Sequence, residues 1–314
     1  MRILNAEPYR FSSEARAILS LIGEVVDEEC TRDQLINLVR GFDILIVRLG
    51  HKVDAELFSN ATRLRVVSTA TTGLNHIDVD SAKKFGVSVL SLRGERQFLN
   101  SITATAEHTW GLLLALVRHL PSAAQHVVEF CWDRDHFIGR QLSGLTIGIV
   151  GMGRLGTIVS EYGRAFRMKV IAYDENPVCS PNHVTMVDLH TLLTCSDVIV
   201  TLPSYQESSH HLIGRSEFSK MKRGAILINT SRGEVVDELA LLEALNDERL
   251  SGAALDVLSG EAEREYGWLK THPLIEFAKR SDRLIITPHI GGLASDAMAR
   301  AEIFMANKLR SFLK

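Results

Sequence analysis

Short runs of Val, Ile and Leu alternate along the chain with longer stretches in which apolar residues return at helical spacing. In the first hundred residues the runs are Arg2–Leu4, Asp43–Val47, Leu64–Ser68 and Val87–Ser91. Between them lie SEARAILSLIG, DQLINLVRG and DVDSAKKFG, each closing on glycine as helices often do. Continuous apolar strands separated by helices specify a parallel sheet covered on both faces. A second series follows, with strands expected at Leu145–Val150, Lys169–Tyr173, Asp197–Leu202, Ala225–Asn229, Gly252–Leu255 and Leu284–Thr287. Six strands in that order fit a doubly wound sheet.

Between the two series, SITATAEHTWGLLLALVRHLP reads as a helix with Ser101 as N-cap and Pro121 beyond its end. Its apolar residues cover more than one stripe, which predicts burial on most sides, at a domain boundary or between two subunits. The last stretch, SDAMARAEIFMANKLRSFLK, reads as an amphipathic helix. No internal repeat or low-complexity tract interrupts the pattern.

Composition narrows the class. The 314 residues suffice for two domains, and 46% hydrophobic with 23% charged residues is globular. A net charge of -3 offers no basic field for nucleic acid or an anionic membrane. Cys30, Cys131, Cys179 and Cys195 show no CxxC spacing, so reduced thiols are expected, with no disulfide frame and no metal site. The N-terminus MRILNAEPYR lacks the apolar run of a signal peptide, and WGLLLALV is too short to span a bilayer. A cytoplasmic protein is expected.

LTIGIVGMGRLG carries Gly151-x-Gly153-x-x-Gly156, with Arg154 and Leu155 inside the motif. A GxGxxG alone is weak, but here an apolar strand precedes it and a helical period follows. A second strand then ends on Asp174, 174 − 156 = 18 residues past the last glycine. The first glycine permits the tight turn, the second lets the backbone approach a pyrophosphate, and the third lets helix pack on strand. The helix N-terminus offers amides to phosphate. Asp174 would accept hydrogen bonds from ribose hydroxyls and repel a 2′-phosphate, which argues NAD over NADP. The bland alternative is a structural turn with a solvated acid.

Three polar residues stand just past strand ends, where doubly wound sheets build their sites. Arg232 follows AILINTS, Glu261 follows AALDVLSG, and His289 follows LIITP. Hydride transfer from an alcohol needs a group that moves the hydroxyl proton, and His suits that near neutral pH. A carboxylate beside it would hold the ring's tautomer, and an Arg would grip a substrate carboxylate. Taken singly, each has an ordinary reading: a loop-capping His, a solvated Glu, an Arg paired with Asp237 or Asp256. Their joint placement favours the set.

With these residues the chain resembles the D-isomer-specific 2-hydroxyacid dehydrogenase family from end to end, through GLTIGIVGMGRLG, LINTSRGEVVDE, GAALDV and ITPHIGG. The resemblance implies an α/β fold of two doubly wound parallel-sheet domains. Residues 1–100 and 293–314 would form a flavodoxin-like substrate domain, and 101–292 a Rossmann NAD-binding domain. It implies catalytic roles for Arg232, Glu261 and His289, and a ribose contact at Asp174. Asp256 would contact the nicotinamide carboxamide. Further NAD contacts are expected at Leu202, Pro203, Thr230, Ser231, Gly291 and Gly292. Amides near Thr72, Gly73 and Leu74 would receive the substrate carboxylate, in a cleft between the domains. Arg48 stands at a strand end and is a candidate for a second anionic group. A homodimer through residues 102–145 is expected.

Three departures bear on the substrate. Thr71-Thr72-Gly73-Leu74-Asn75 replaces the usual Gly-x-Gly-x-Asp. SLRGERQFLNSITATAEH is longer than usual, adding Arg93, Glu95, Arg96 and Gln97; a lid, a subunit contact and a plain surface loop are all open readings. Ala262 stands where a Pro normally follows the catalytic Glu, and a charged segment continues from it. The expected activity is interconversion of a D-2-hydroxy acid and its 2-keto acid, with a phosphoglycerate- or glycerate-like substrate and no fused effector domain. The competing readings are a non-catalytic NAD-sensing protein and a family member acting on formate or phosphite.

Overall fold

Parallel strands give both sheets of this computed structural model, which describes residues 1–176, 180–261 and 267–314. Two units divide the chain: Met1–Ile102 with Leu293–Lys314, and Thr103–Gly292. The first holds β1 (Arg2–Asn5), β2 (Glu24–Asp27), β3 (Ile44–Val47), β4 (Val66–Thr69) and β5 (Ser88–Leu90), ordered β2-β1-β3-β4-β5. That is the flavodoxin-like order. Its helices include α1 (Ser13–Ser20), α2 (Arg32–Leu38), α3 (Ala55–Asn60) and α4 (Val79–Lys84).

Successive residues of a strand face opposite sides, so each strand feeds two cores. Ile3, Ile44 and Val66 pack with Ala15 and Leu19 of α1 and with Ala306 and Leu309 of the terminal helix, Ser295–Phe312. Leu4, Leu45 and Val67 pack on the other side with Leu35, Leu57 and Ala82 of α2 to α4. Side chains of Ser12, Thr31, Asp54 and Asp78 cap those four helices at their N-termini. Neither β2 nor α3 was expected. Glu24–Asp27 is a half-exposed edge strand with only two apolar residues, and Ala55–Asn60 is under two turns long.

The long segment after β5 is a built element. Gly94 turns the chain at φ 88° and α5 (Arg96–Leu99) follows. Phe98 stacks on Phe304 at 4.2 Å, and Leu92 and Leu99 pack with Ala301 and Met305. Lys308 Nζ donates to Glu95 Oε1 at 2.6 Å and to Ser91 O at 2.8 Å. These contacts fasten it to the terminal helix.

The second unit holds β6 (Thr146–Val150), β7 (Lys169–Tyr173), β8 (Val184–Met186), β9 (Val198–Thr201), β10 (Ala225–Asn229), β11 (Leu250–Leu255) and β12 (Leu284–Ile286). Their order is β12-β11-β10-β9-β6-β7-β8, the Rossmann arrangement extended by one strand. The strand missed in the sequence, β8, is a three-residue edge piece. α6 (Ala104–Val117) and α8 (Arg154–Ala165) cover one face, packing Trp110, Leu113 and Val159 on Ile147, Val198 and Ile228. α9 (Leu189–Cys195), α10 (Arg215–Lys220), α11 (Glu238–Asn246) and α12 (Pro273–Arg280) cover the other.

The helix between the series differs from expectation at both ends. It starts at Ala104, because Ser101 Oγ is spent on Phe98 O at 2.7 Å. Pro121 opens a second helix, α7 (Leu120–Val128), after His119 turns the chain in left-handed backbone at φ 52°. Among the described residues no helix is long and apolar enough to cross a membrane.

Glu302 anchors the terminal helix. It is 3% exposed, and its Oε2 accepts from Ser12 N at 2.7 Å. Burial pushes its pKa up, against the pull of that amide and of Arg48. An acid raised in the folded state costs stability once the unfolded chain would ionise it. Relative to Glu302→Gln, the wild type should therefore lose melting temperature as pH rises above the ordinary glutamate value. A pH-independent difference between the two would contradict this.

Candidate active site

The glycine motif lies at the switch point, where β6 neighbours both β7 and β9. Gly151 has φ 96°, and an added Cβ would stand 2.5 Å from Pro203 N. At Gly156 it would stand 2.3 Å from Gly151 O. Both must be glycine for the turn, α8 and the end of β9 to close up. A Cβ at Gly153, the N-cap of α8, would meet nothing within 4 Å. The crowding of two glycines and the openness of the third leave an approach to the helix N-terminus suited to phosphate.

Asp174 ties this turn to the end of β7: Oδ2 accepts from Met152 N at 2.7 Å and Oδ1 from Asn176 N at 2.9 Å. It lines a groove of about 290 Å³ with Gly151, Gly153, Leu202 and Pro203. The neighbouring Glu175 also lines it, held by Gln206 Nε2 at 3.0 Å and Ser208 Oγ at 3.3 Å. Two carboxylates make the groove unfavourable for a second phosphate. Arg154 is half-buried, and burial lowers its pKa. Leu155 packs against the core below.

Arg232 is placed by Asn229, the last residue of β10. Asn229 Oδ1 accepts from Ser231 N at 3.1 Å, Ser231 Oγ at 2.9 Å and Thr201 Oγ1 at 2.9 Å, while Nδ2 donates to Arg232 O at 2.9 Å. The next residue permits the meeting of two loops. A Cβ on Gly233 would stand 2.1 Å from Leu258 C and Ser259 N. That second loop is held by Glu238 Oε1, accepting from Ser259 N at 2.7 Å, and Glu234 Oε1, accepting from Gly260 N at 3.0 Å. It ends at Glu261; Ala262 and the charged residues to Tyr266 lie outside the described residues, as does Cys179.

Glu261 Oε1 forms a hydrogen bond with His289 Nδ1. A carboxylate accepts only, so Nδ1 carries the hydrogen and Nε2 is the ring nitrogen left for chemistry. His289 has φ 54°, a left-handed conformation unusual for a residue with a side chain. Its amide donates to Asp256 O at 2.8 Å and Thr287 O at 3.0 Å. Burial lowers the pKa of Arg232, with Glu261 and Glu234 opposing. Arg232 Nη1 donates to Ser231 O at 2.6 Å. Asp237 caps α11 through Leu239 N and Ala240 N, and Asp256 belongs to the His289 turn.

Asp256 is 1% exposed. Its Oδ1 accepts from Thr287 Oγ1 at 2.6 Å and Ile290 N at 2.9 Å, and Oδ2 from Gly291 N at 2.7 Å. These bonds hold the turn under His289. A Cβ on Gly291 would stand 2.8 Å from Asp256 Oδ2, whereas Gly292 has open space. Asn229, Glu234 and Glu238 were missed in the sequence, because each serves backbone rather than chemistry.

Residues 110–291 match the family model described as D-isomer specific 2-hydroxyacid dehydrogenase, NAD binding domain. The chain belongs to the D-isomer specific 2-hydroxyacid dehydrogenase family. D-3-phosphoglycerate dehydrogenase of Archaeoglobus fulgidus is 34% identical across the whole chain, which spans only 58% of that relative's length. Hydroxypyruvate reductase of Thermotoga maritima is 35% identical over 91% of this chain and 90% of its own. The solved D-lactate dehydrogenase of Aquifex aeolicus, complexed with NAD and lactic acid, is 29% identical with a TM-score of 0.83, covering 100% of this chain and 95% of that one.

NAD is the cofactor of this family's matched domain, and the residues present fit it: an open Gly153, a helix N-terminus, and Asp174 beside the groove. In the other unit of this dehydrogenase-family chain, Thr72, Gly73 and Leu74 form the loop after β4, stiffened by Thr71 Oγ1 donating to Gly73 O at 2.8 Å. Arg48 has internal partners: Nη2 donates to Glu7 O at 3.1 Å and Tyr9 O at 3.0 Å, and Glu7 and Glu302 carboxylates lie 3.9 Å away. Arg48 thus ties these segments together. Asp174→Ala should weaken NADH binding about tenfold, the loss of charge-assisted hydrogen bonds, and reduce discrimination against NADPH. Fluorescence titration with both nucleotides checks this; an unchanged preference would contradict it.

Proposed function

We propose that this chain is an NAD-dependent dehydrogenase interconverting a D-2-hydroxy acid and its 2-keto acid. The observation that carries the reading is the His289–Glu261 pair, held beside the Arg232 turn by the contact at Gly233. Bound nicotinamide supplies or accepts the hydride. His289 Nε2 donates a proton to the keto oxygen in reduction and takes it from the hydroxyl in oxidation. Glu261 accepts from Nδ1 and so holds the ring's tautomer. Arg232 grips the α-carboxylate and polarises the keto oxygen, more strongly because it is partly desolvated. Residues 101–292 bind NAD, and residues 1–100 with 293–314 take the substrate, using the Thr72–Leu74 loop for its carboxylate.

The names of the relatives support a small substrate such as glyoxylate, hydroxypyruvate, lactate's keto acid or phosphohydroxypyruvate. NADH oxidation against a panel of these acids tests it. The reading assigns the protein to the cytoplasm, with NAD as cofactor and Cys30, Cys131 and Cys195 free.

The working form in this reading is a homodimer through the 102–145 region. α7 and the strap after it carry Val128, Phe130, Trp132 and Ile138, exposed by 69%, 99%, 89% and 80%. A run of such residues on an unpaired surface marks a protein interface. Trp132→Glu should convert a dimer to monomer in light scattering, and a monomeric wild type would sink the assignment.

His289→Ala should remove most of kcat, on the order of a hundredfold or more, while NADH still binds. Arg232→Ala should mainly raise KM for the keto acid. Near-wild-type kcat in the first, or an unchanged KM in the second, would contradict these roles.

A further inference from the structure

α6 touches both loops that carry the proposed catalytic groups. His108 Nε2 lies 3.2 Å from Asp256 Oδ1 and 3.0 Å from Thr287 Oγ1. The Thr287 hydroxyl spends its one hydrogen on Asp256 Oδ1, and the carboxylate only accepts. His108 Nε2 must therefore carry a hydrogen shared between the two. Asp256 in turn receives the amides of Ile290 and Gly291, and its carbonyl receives that of His289. The backbone turn that presents His289 thus hangs on one carboxylate, and His108 is the side chain that reaches it from another element.

The next residue serves the other loop. Thr109 Oγ1 donates to Thr105 O at 2.7 Å and lies 2.6 Å from Thr230 Oγ1. With the Thr109 hydrogen spent, Thr230 is the donor in that pair. Thr230 stands two residues before Arg232. Close packing tightens the arrangement: a Cβ on Gly291 would stand 3.3 Å from Thr105 Cγ2 and 3.5 Å from His108 Cδ2. Thr109 and Thr230 are 1% and 5% exposed, so water cannot readily replace these bonds.

We infer that His108 and Thr109 are positioning residues, through which α6 sets the spacing between the His289 turn and the Arg232 turn. This rests on the dehydrogenase reading above. Neither residue touches the reacting atoms in that reading. Each acts by holding a loop that does, and adjacency on one helix makes the two placements a single geometric constraint. Misplacement of reacting groups by an ångström is costly to turnover.

The test compares His108→Gln, which keeps a donor near the Nε2 position, with His108→Phe, which keeps only the ring. Thr109→Ser and Thr109→Val form the second pair. His108→Phe and Thr109→Val should each lower kcat about ten- to a hundredfold. NADH affinity should stay within about twofold of wild type and melting temperature near it, and the acid limb of the kcat/KM pH profile should shift in His108→Phe. His108→Gln and Thr109→Ser should recover most of the loss. A His108→Phe enzyme matching wild type, or a His108→Gln enzyme as impaired as His108→Phe, would overturn the inference. Should the histidine variants fail to fold, the threonine pair decides it by the same comparison. The NMR titration of the His289 ring gives a readout without turnover. A wild type inactive on every keto acid sinks the dehydrogenase reading, while a His289 titration altered in His108→Phe and restored in His108→Gln still upholds the positioning.

Discussion

Backbone meets backbone at Gly233, and the candidate site depends on that approach. One loop leaves β10 and carries Arg232; the other leaves β11 and ends at Glu261. They can touch only because residue 233 has no side chain to keep Leu258 and Ser259 away. Glu234 and Glu238 then hold the second loop by its amides, one turn of chain beyond the glycine. Glu261 meets His289 from the end of β12, so three neighbouring strands deliver one constellation. A parallel sheet makes this natural, since all its strands end on the same side.

The electrostatics follow from the same packing. Partial burial makes the Arg232 guanidinium costly to keep charged, and Glu261 and Glu234 offset that cost. On the proposed reading an incoming carboxylate completes the balance. His289 adds a second expense, a left-handed backbone held by bonds to Asp256 and Thr287. Strain of that kind persists only where surrounding bonds impose it.

Much of this was legible in the sequence, for physical reasons. Strands buried on both faces must be apolar throughout, so β3, β4, β9 and β10 announce themselves. Edge strands face water, and β2 and β8 carried too few apolar residues to be seen. The three glycines, Asp174 and the Arg–Glu–His set were readable because their chemistry restricts the residue type. Ser101 misled, because a hydroxyl before a helical stretch can as well close the preceding helix, and Phe98 O takes it. The strand end showed Arg48 but not its surroundings, where Glu7 and Glu302 arrive from distant sequence. Asp256 showed its place but not its partners, which lie on α6 and on the turn after β12.

The bond from Ser12 N to Glu302 joins residues 290 apart, and the helix bearing Glu302 covers one face of the first sheet. The first unit is thus written in two pieces with the whole second unit between them. During synthesis, which runs from the N-terminus, the second unit can emerge and fold while the first sheet still lacks part of its cover. Ile3, Ile44 and Val66 would wait with only α1 over their face until the terminal helix arrives. The interval between those events is when a nascent chain of this design is most exposed to aggregation and most in need of a chaperone.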